Sequence, residues 1–405
     1  MVTDLIIIGA GIFGAAIAYY YKKDNPDKEV LVLERNGLCS GNTGLAAALI
    51  SRARPYRSMI PLSLETYKVI PQLEKLTGEK LPVHYNGAIH LAVSPESVFQ
   101  LEDMIRILYE FGIESEYINR EIAEKRVSWL DASKSQICVL IPHEAFTDPY
   151  LLCMSFINSA KTLGVKFHKN TEVKGIIRHG DRVIGVRTVN DTIYSGVTVL
   201  AAGVWSVNLA YDIGINLPMA PVRSQYWITE SAQAYTDTSP AVIIPEAGFY
   251  TRPIGKSLLV GIREPKSFYE DPRFLPDNIK NYTFSSNDGW DYLIDNYQRV
   301  SEFFPWFGYA SIKNYIAGFS AYTPDNNLVL GTVPSVEGML VAAGCSGAGI
   351  SVSGGTGLAI SRLAAGRTSP FDLTSFRADR FGKINPYSRE HLSQCAAARS
   401  GKTSG

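Results

Sequence analysis

An α/β fold opening on a parallel sheet is predicted by three observations at the start of the chain. Residues 5–8, Leu-Ile-Ile-Ile, form a continuous apolar run, the mark of a parallel strand buried on both faces. The pattern G-x-G-x-x-G follows at once as Gly9, Gly11 and Gly14, and residues 15–23 have helical composition. After a break at residues 24–27, Asp-Asn-Pro-Asp, a second buried run at 30–33 ends in Glu34. Strand, glycine turn, helix, strand and terminal acid agree in register with a Rossmann-like βαβ unit that holds a dinucleotide.

Each position in that unit has a physical role. Gly9 permits the tight turn, Gly11 lets the backbone approach a pyrophosphate, and Gly14 lets helix and strand pack closely. The helix N-terminus offers free N–H groups and a positive dipole end to the phosphates. Glu34, twenty residues after Gly14, suits a ribose 2′-hydroxyl and opposes a 2′-phosphate, which disfavours NADP. The fingerprint alone leaves FAD and NAD open.

Composition narrows the class. With 405 residues the chain exceeds what one core usually organises, so two domains are expected. It is 46% hydrophobic and 19% charged, in the ordinary range for a globular enzyme. Thirty-nine basic residues balance thirty-nine acidic ones, so no global field favours nucleic acid. Five widely spaced cysteines with no C-x-x-C pair indicate neither a disulfide framework nor a metal site, and a reducing compartment is expected. The apolar stretch at 5–21 is preceded by Asp4 and broken by three glycines, so it is read as the βαβ unit and not as a signal or membrane segment. The protein is expected to be cytoplasmic.

Further along, four blocks recur in order. A small-residue loop at 37–44 leads to residues 45–54, ending Ser-Arg-Ala-Arg. Thr147, Asp148 and Pro149 open a helix, with Asp148 as N-cap and Pro149 in the first turn, followed by an extended segment reaching Val173. A hairpin turning at 179–181 and a buried strand ending in Ala201, Ala202 and Gly203 come next. Residues 316–325 form the third block, and residues 339–357, rich in glycine, form the fourth. The series resembles the D-amino-acid-oxidase-like flavoproteins, which include glycine oxidase, sarcosine oxidase and amino-acid dehydrogenases, over nearly the whole chain to about residue 385.

That resemblance implies a discontinuous FAD-binding domain at 1–80, 145–214 and 316–385. An antiparallel-sheet substrate domain at 81–144 and 215–315 makes the whole α+β. Residues 386–405, small and polar, are expected to be a frayed tail. The resemblance assigns to FAD, besides Gly9, Gly11 and Gly14, the residues Ile12, Phe13, Glu34 and Arg35, and the loop residues Ser40, Gly41, Asn42, Thr43 and Gly44. It adds Val173, Ala202, Gly203, Trp205 and Gly318, and from the fourth block Gly344, Ser346, Gly347, Ala348, Gly349 and Ile350. This last block would aim a helix N-terminus at the flavin N1–C2=O edge, where negative charge gathers on reduction.

The chemistry implied is oxidation of a small amine or amino acid by hydride transfer from the α-carbon to the flavin, giving an imine that hydrolyses. No metal is needed, and no G-x-S-x-G or H-E-x-x-H signature is present. Three departures from the family matter. Ser320 stands where sarcosine-oxidase relatives carry a flavin-tethering cysteine, so FAD is expected to be non-covalent. Ser320 also stands near where glycine-oxidase relatives carry a carboxylate-binding arginine, so another arginine must serve. Candidates are Arg52, favoured by its position, then Arg54, Arg57, Arg223 and Arg252. Ser351 replaces an oxygen-activating lysine, which favours a dehydrogenase over an oxidase.

Tyr250 and Tyr322 are candidates to roof the substrate, and the six histidines are read as structural. The electron acceptor is expected to be O₂, another redox protein or a quinone. A homo-oligomer or a heteromeric dehydrogenase complex is compatible with this reading. Oxidation of a 2-hydroxy acid or glycerol phosphate stays open as an alternative, as does a role as the flavin-bearing subunit of a larger assembly.

Overall fold

The computed structural model describes residues 1–284 and 289–402. Its first strand, Val2–Ile8, alternates between two cores. Leu5 and Ile7 join one with Val30 and Val32, while Ile6 and Ile8 join the other with Leu31 and Leu33. Burial on both faces is what the unbroken apolar runs require. Five strands run parallel: Lys166–His168, Val30–Leu33, Val2–Ile8, Thr192–Leu200 and Val336–Ala343, in that spatial order. An antiparallel hairpin, Val173–His179 and Arg182–Thr188, and the edge strand Val329–Val333 complete this sheet.

The helix Ile12–Asp24 packs against Pro149–Thr162 and Ser353–Ala364 on one face. Asp148 caps the second of these, its carboxylate accepting from Leu151 N at 2.9 Å, with Pro149 at the first position. The glycines of the third are spent on close helix contact. A Cβ at Gly355 would lie 2.2 Å from Leu62 Cα, and one at Gly357 would lie 2.8 Å from Ala16 Cβ.

The second sheet is nearly all antiparallel, in the order Ile312–Tyr322, Ala220–Thr229, Ser257–Ile262, Phe249–Ile254, Ala241–Ile244, Ala88–Ala92, Ile137–Ile141, Glu116–Ile118. Only the pairing of Ala241–Ile244 with Ala88–Ala92 is parallel. Its core gathers Trp227, Phe249, Phe304 and Phe307 with Val and Leu from four strands.

Two expectations are corrected here. Residues 316–322 lie in this second sheet and not in the first: Ala220 to Ser224 run opposite Tyr322 to Gly318 without a break in register. The chain crosses to the first sheet only at Val329. The described part of the tail, residues 386–402, is also no frayed end, while residues 403–405 lie outside the described residues. Ser388 caps a helix, Arg389–Ser400, by accepting from His391 N. Its stripe of Leu392, Cys395 and Ala396 packs on Ala220, Val222 and Tyr322. The spacing of three and four residues puts these side chains on one helix face, a pattern that the segment's polar average composition hides.

Candidate active site

A cavity of about 500 Å³ lies between the carboxyl ends of the parallel strands and the second sheet. That is where open α/β sheets bind their ligands. It runs from a glycine-built end to an arginine-built end.

At the first end Gly9 has φ +104°, and a Cβ there would lie 2.6 Å from Ala201 O. Gly11 is the N-cap of the first helix, and a Cβ at Gly14 would lie 2.0 Å from Gly9 O. Gly14 therefore packs the turn behind the cavity, while Gly9, Gly11, Ile12 and Phe13 line it. Glu34 lines it too, accepting from Ala10 N and Asn36 N, both at 2.9 Å. Arg35 stacks its guanidinium over the Trp205 ring at 4.1 Å, and burial lowers its pKa. Its Nη2 is buried with no partner among the described residues. Val173, Ala202 and Gly203 close the wall around this pair.

The 37–44 loop forms the middle of the wall. Ser40, Gly41, Asn42 and Thr43 line the cavity, and Thr43 Oγ1 accepts from Ile12 N at 3.1 Å. Gly44 lies behind them. Asn42 Oδ1 is buried with no partner among the described residues, and a Cβ at Gly318 would lie 2.7 Å from it. The glycine keeps that space open. Gly344, Gly347, Gly349 and Ile350 line the same stretch, whereas Ser346 and Ala348 are buried behind it. Ser346, at φ +44°, is fixed by its N–H donating to Ala321 O at 2.8 Å.

At the other end Tyr250 and Tyr322 line the cavity. Gly261, paired across the strands with Tyr250, makes room for its ring: a Cβ there would lie 2.0 Å from Tyr250 Cζ. Burial raises the Tyr250 pKa, so its hydroxyl stays protonated at neutral pH.

Five sequence-based candidates do not line this space. Arg52 donates from Nε to Glu144 Oε1 at 3.0 Å and from Nη2 to Pro142 O at 2.6 Å, with Tyr67 against its guanidinium. It latches the strand Leu49–Ile50 region to the 142–144 turn. Arg57 is exposed and pairs with Glu110. Ser351 donates to Ser51 O at 2.5 Å and is 1% exposed, away from the cavity lining. Of the other candidates, Arg223 pairs with Glu264 and Arg252 donates to Ala47 O at 2.6 Å, and neither lines the cavity.

Arg54 does line it, 2% exposed, with burial lowering its pKa. Beside it are residues that sequence reasoning missed: Tyr226, Arg263, Arg399 and Lys402. Burial, then the neighbouring Arg399, brings Arg263 down to about 10, and its Nη2 has no partner among the described residues. Arg399 donates to Ser267 Oγ at 3.1 Å and lies 3.7 Å from Glu264 Oε2. Lys402 donates to Ser346 O at 3.1 Å. Burial, followed by Arg54, Arg263 and Arg399, lowers its pKa well below the usual range.

A signal for Arg263 is present in the sequence: it continues the strand face of Gly261, two residues on, at the end of an otherwise apolar run. Arg399 and Lys402 carry none, because the polar composition of the tail masks its helix. No histidine lines the cavity among the described residues. His90 is 3% exposed, and burial lowers its pKa to about 4, as befits a neutral core histidine. Among the described residues no helix is long and apolar enough to cross a membrane.

The sequence pattern of the family described as DAO, FAD dependent oxidoreductase, matches residues 4–363. Mitochondrial dimethylglycine dehydrogenase of Rattus norvegicus is 26% identical over 389 residues, covering 94% of this chain and 45% of that protein. The chain thus spans less than half the length of that relative. Glycine oxidase of Bacillus subtilis is 25% identical over 391 residues, covering 93% of this chain and 97% of the enzyme. Among solved structures, L-proline dehydrogenase from P. horikoshii superimposes with a TM-score of 0.83 at 23% identity, covering 95% of this chain and 99% of that one. At that identity the likeness is one of fold.

Proposed function

The chain belongs to the DAO family of FAD-dependent oxidoreductases, and from this premise we propose that it oxidises a small amine or amino acid at the α-carbon with non-covalently held FAD. The observation that carries the reading is the pairing of a glycine-built nucleotide cradle with buried arginines and tyrosines at opposite ends of one cavity. The residues present fit the cofactor. Gly9, Gly11 and the first helix N-terminus suit the pyrophosphate, Glu34 the ribose, and the Arg35–Trp205 stack the adenine side. The orphaned Asn42 Oδ1 opposite Gly318 suits the ring system, and Ser320 offers no thiol for a tether.

FAD, when bound, supplies a two-electron acceptor for the hydride of the substrate's α-C–H bond. The protein's own groups do the rest. Arg54 and Arg263 bind a substrate carboxylate, a buried guanidinium being suited to bidentate capture. Tyr226 and Tyr250, which line the cavity, hold the amine in place. The C–H bond gives up its electron pair as hydride, a nitrogen proton goes to solvent, and water adds to the C=N product to give a carbonyl compound and an amine.

Position 351 does not decide between oxidase and dehydrogenase, because Ser351 is spent on Ser51 O and Nζ of Lys402 stands beside Gly347 instead. Anaerobic addition of glycine, sarcosine, proline and larger amino acids to the yellow holoenzyme tests the reading. Bleaching by at least one amine is expected. Bleaching only by 2-hydroxy acids or glycerol phosphate would move the reaction to a carbon beside oxygen.

A further inference from the structure

The arginine-built end of the cavity holds more positive charge than one carboxylate can answer. Arg263, Arg399 and Lys402 line it together, and the acids in the described lining, Glu34, Glu172 and Asp277, lie at the nucleotide end. Behind the wall one carboxylate, Glu264, is shared between Arg223 and Arg399. Five basic side chains, Arg54 among them, therefore stand at this end, and Glu264 is the carboxylate paired with two of them. Arg263 and Arg399 are 7% and 3% exposed, so water does not solvate the excess. Holding uncompensated buried cations is strongly unfavourable, and a binding site recovers that cost when an anionic ligand enters.

The origin of these cations is also informative. Arg263 directly follows a strand of the second sheet, whereas Arg399 and Lys402 come from the C-terminal helix and the turn after it. The helix is held by its Leu392, Cys395 and Ala396 stripe, and Arg399 by Ser267 Oγ, so both groups are placed by packing and not by a loose end. Arg263 keeps a buried Nη2 unspent among the described residues. One acid on Arg263 still leaves Arg399 sharing Glu264 with Arg223, and Lys402 with no carboxylate among the described residues.

Building on the amine-oxidation reading above, we infer that the substrate is a dianionic amine, carrying two acidic groups, one bound by Arg263 and the second by Arg399 with Lys402. Amino dicarboxylates and amines bearing two carboxyalkyl arms share this chemistry. The second acid, seated on the C-terminal helix, makes that helix a specificity element of the site.

The test uses the intact holoenzyme at fixed ionic strength and neutral pH. Malonate, succinate and glutarate are titrated against acetate and propionate, read by perturbation of the flavin spectrum. At least one dicarboxylate is expected to bind tenfold or more tighter than either monocarboxylate. In anaerobic reduction, kcat/KM for iminodiacetate, aspartate or glutamate is expected to exceed that for glycine, sarcosine and proline by about a hundredfold. R399Q should shrink the dicarboxylate advantage in binding to under threefold. Equal binding and turnover of one-acid and two-acid ligands would overturn the inference and leave amine oxidation standing. Bleaching by no amine of either kind would instead overturn the amine reading, and the titration would then decide alone whether the site takes a dianion. If R399Q does not fold, the wild-type comparison of one-acid and two-acid ligands still decides the question.

Discussion

The two ends of the cavity are built on opposite plans. The nucleotide end is mostly local: Gly9, Gly11, Glu34, Arg35 and the 40–43 loop come from the first 43 residues, and backbone geometry does most of the work. The arginine end draws Arg54, Tyr226, Tyr250, Arg263, Tyr322, Arg399 and Lys402 from segments spread over nearly 350 residues. Side-chain charge does the work there. A local grip fixes which cofactor class is held, and a dispersed one is free to change what is oxidised.

Substitutions at each end should break the molecule differently. The largest effect is expected from G14V, whose side chain would meet the Gly9 carbonyl. Flavin absorbance per mole of protein should fall by roughly tenfold or more, since backbone cannot yield as a side chain can. Next, R263Q should leave the flavin content of the protein intact while kcat/KM for the best amine falls about a hundredfold, some 3 kcal/mol of lost transition-state binding. A drop in flavin content there would mean that the two ends are not separable.

E34Q is a smaller perturbation of the nucleotide end. Glu34 accepts from Ala10 N and Asn36 N, and the neutral amide weakens charge-assisted bonds. FAD dissociation, followed by fluorescence, should rise about tenfold. The smallest effect concerns Lys402. Its lowered pKa means that the ammonium loses its proton below the usual lysine range. Anion binding by the charged form is fully present below that lowered pKa and declines as pH rises through it. Titration of a carboxylate that carries no amine should show this decline, a change of up to about tenfold, and K402M should remove it. An unchanged pH profile in K402M would take Lys402 out of ligand binding.

How far the sequence can be read follows the same division. Gly9 to Glu34 is legible because turn, helix start and strand end are fixed by neighbours in the chain. The Asp148 cap and the hairpin at Gly180 are legible for the same reason. Arg52 misleads: its position suggests the site, but Glu144, some ninety residues away, claims its guanidinium. Ser351 misleads because it lies in the turn before the helix Ser353–Ala364, where its hydroxyl donates to Ser51 O and does not enter the cavity.

By itself, then, the order of residues determined a parallel sheet and a tight glycine turn, since each depends on glycine geometry and apolar period within short windows, and the resemblance over four ordered blocks pointed to the family. Only the folded chain decided which cations meet at the far end. Long side chains reach several ångströms, and whether Arg52 or Arg263 spends its charge on a neighbour or offers it to a ligand depends on partners that the backbone brings together from remote segments.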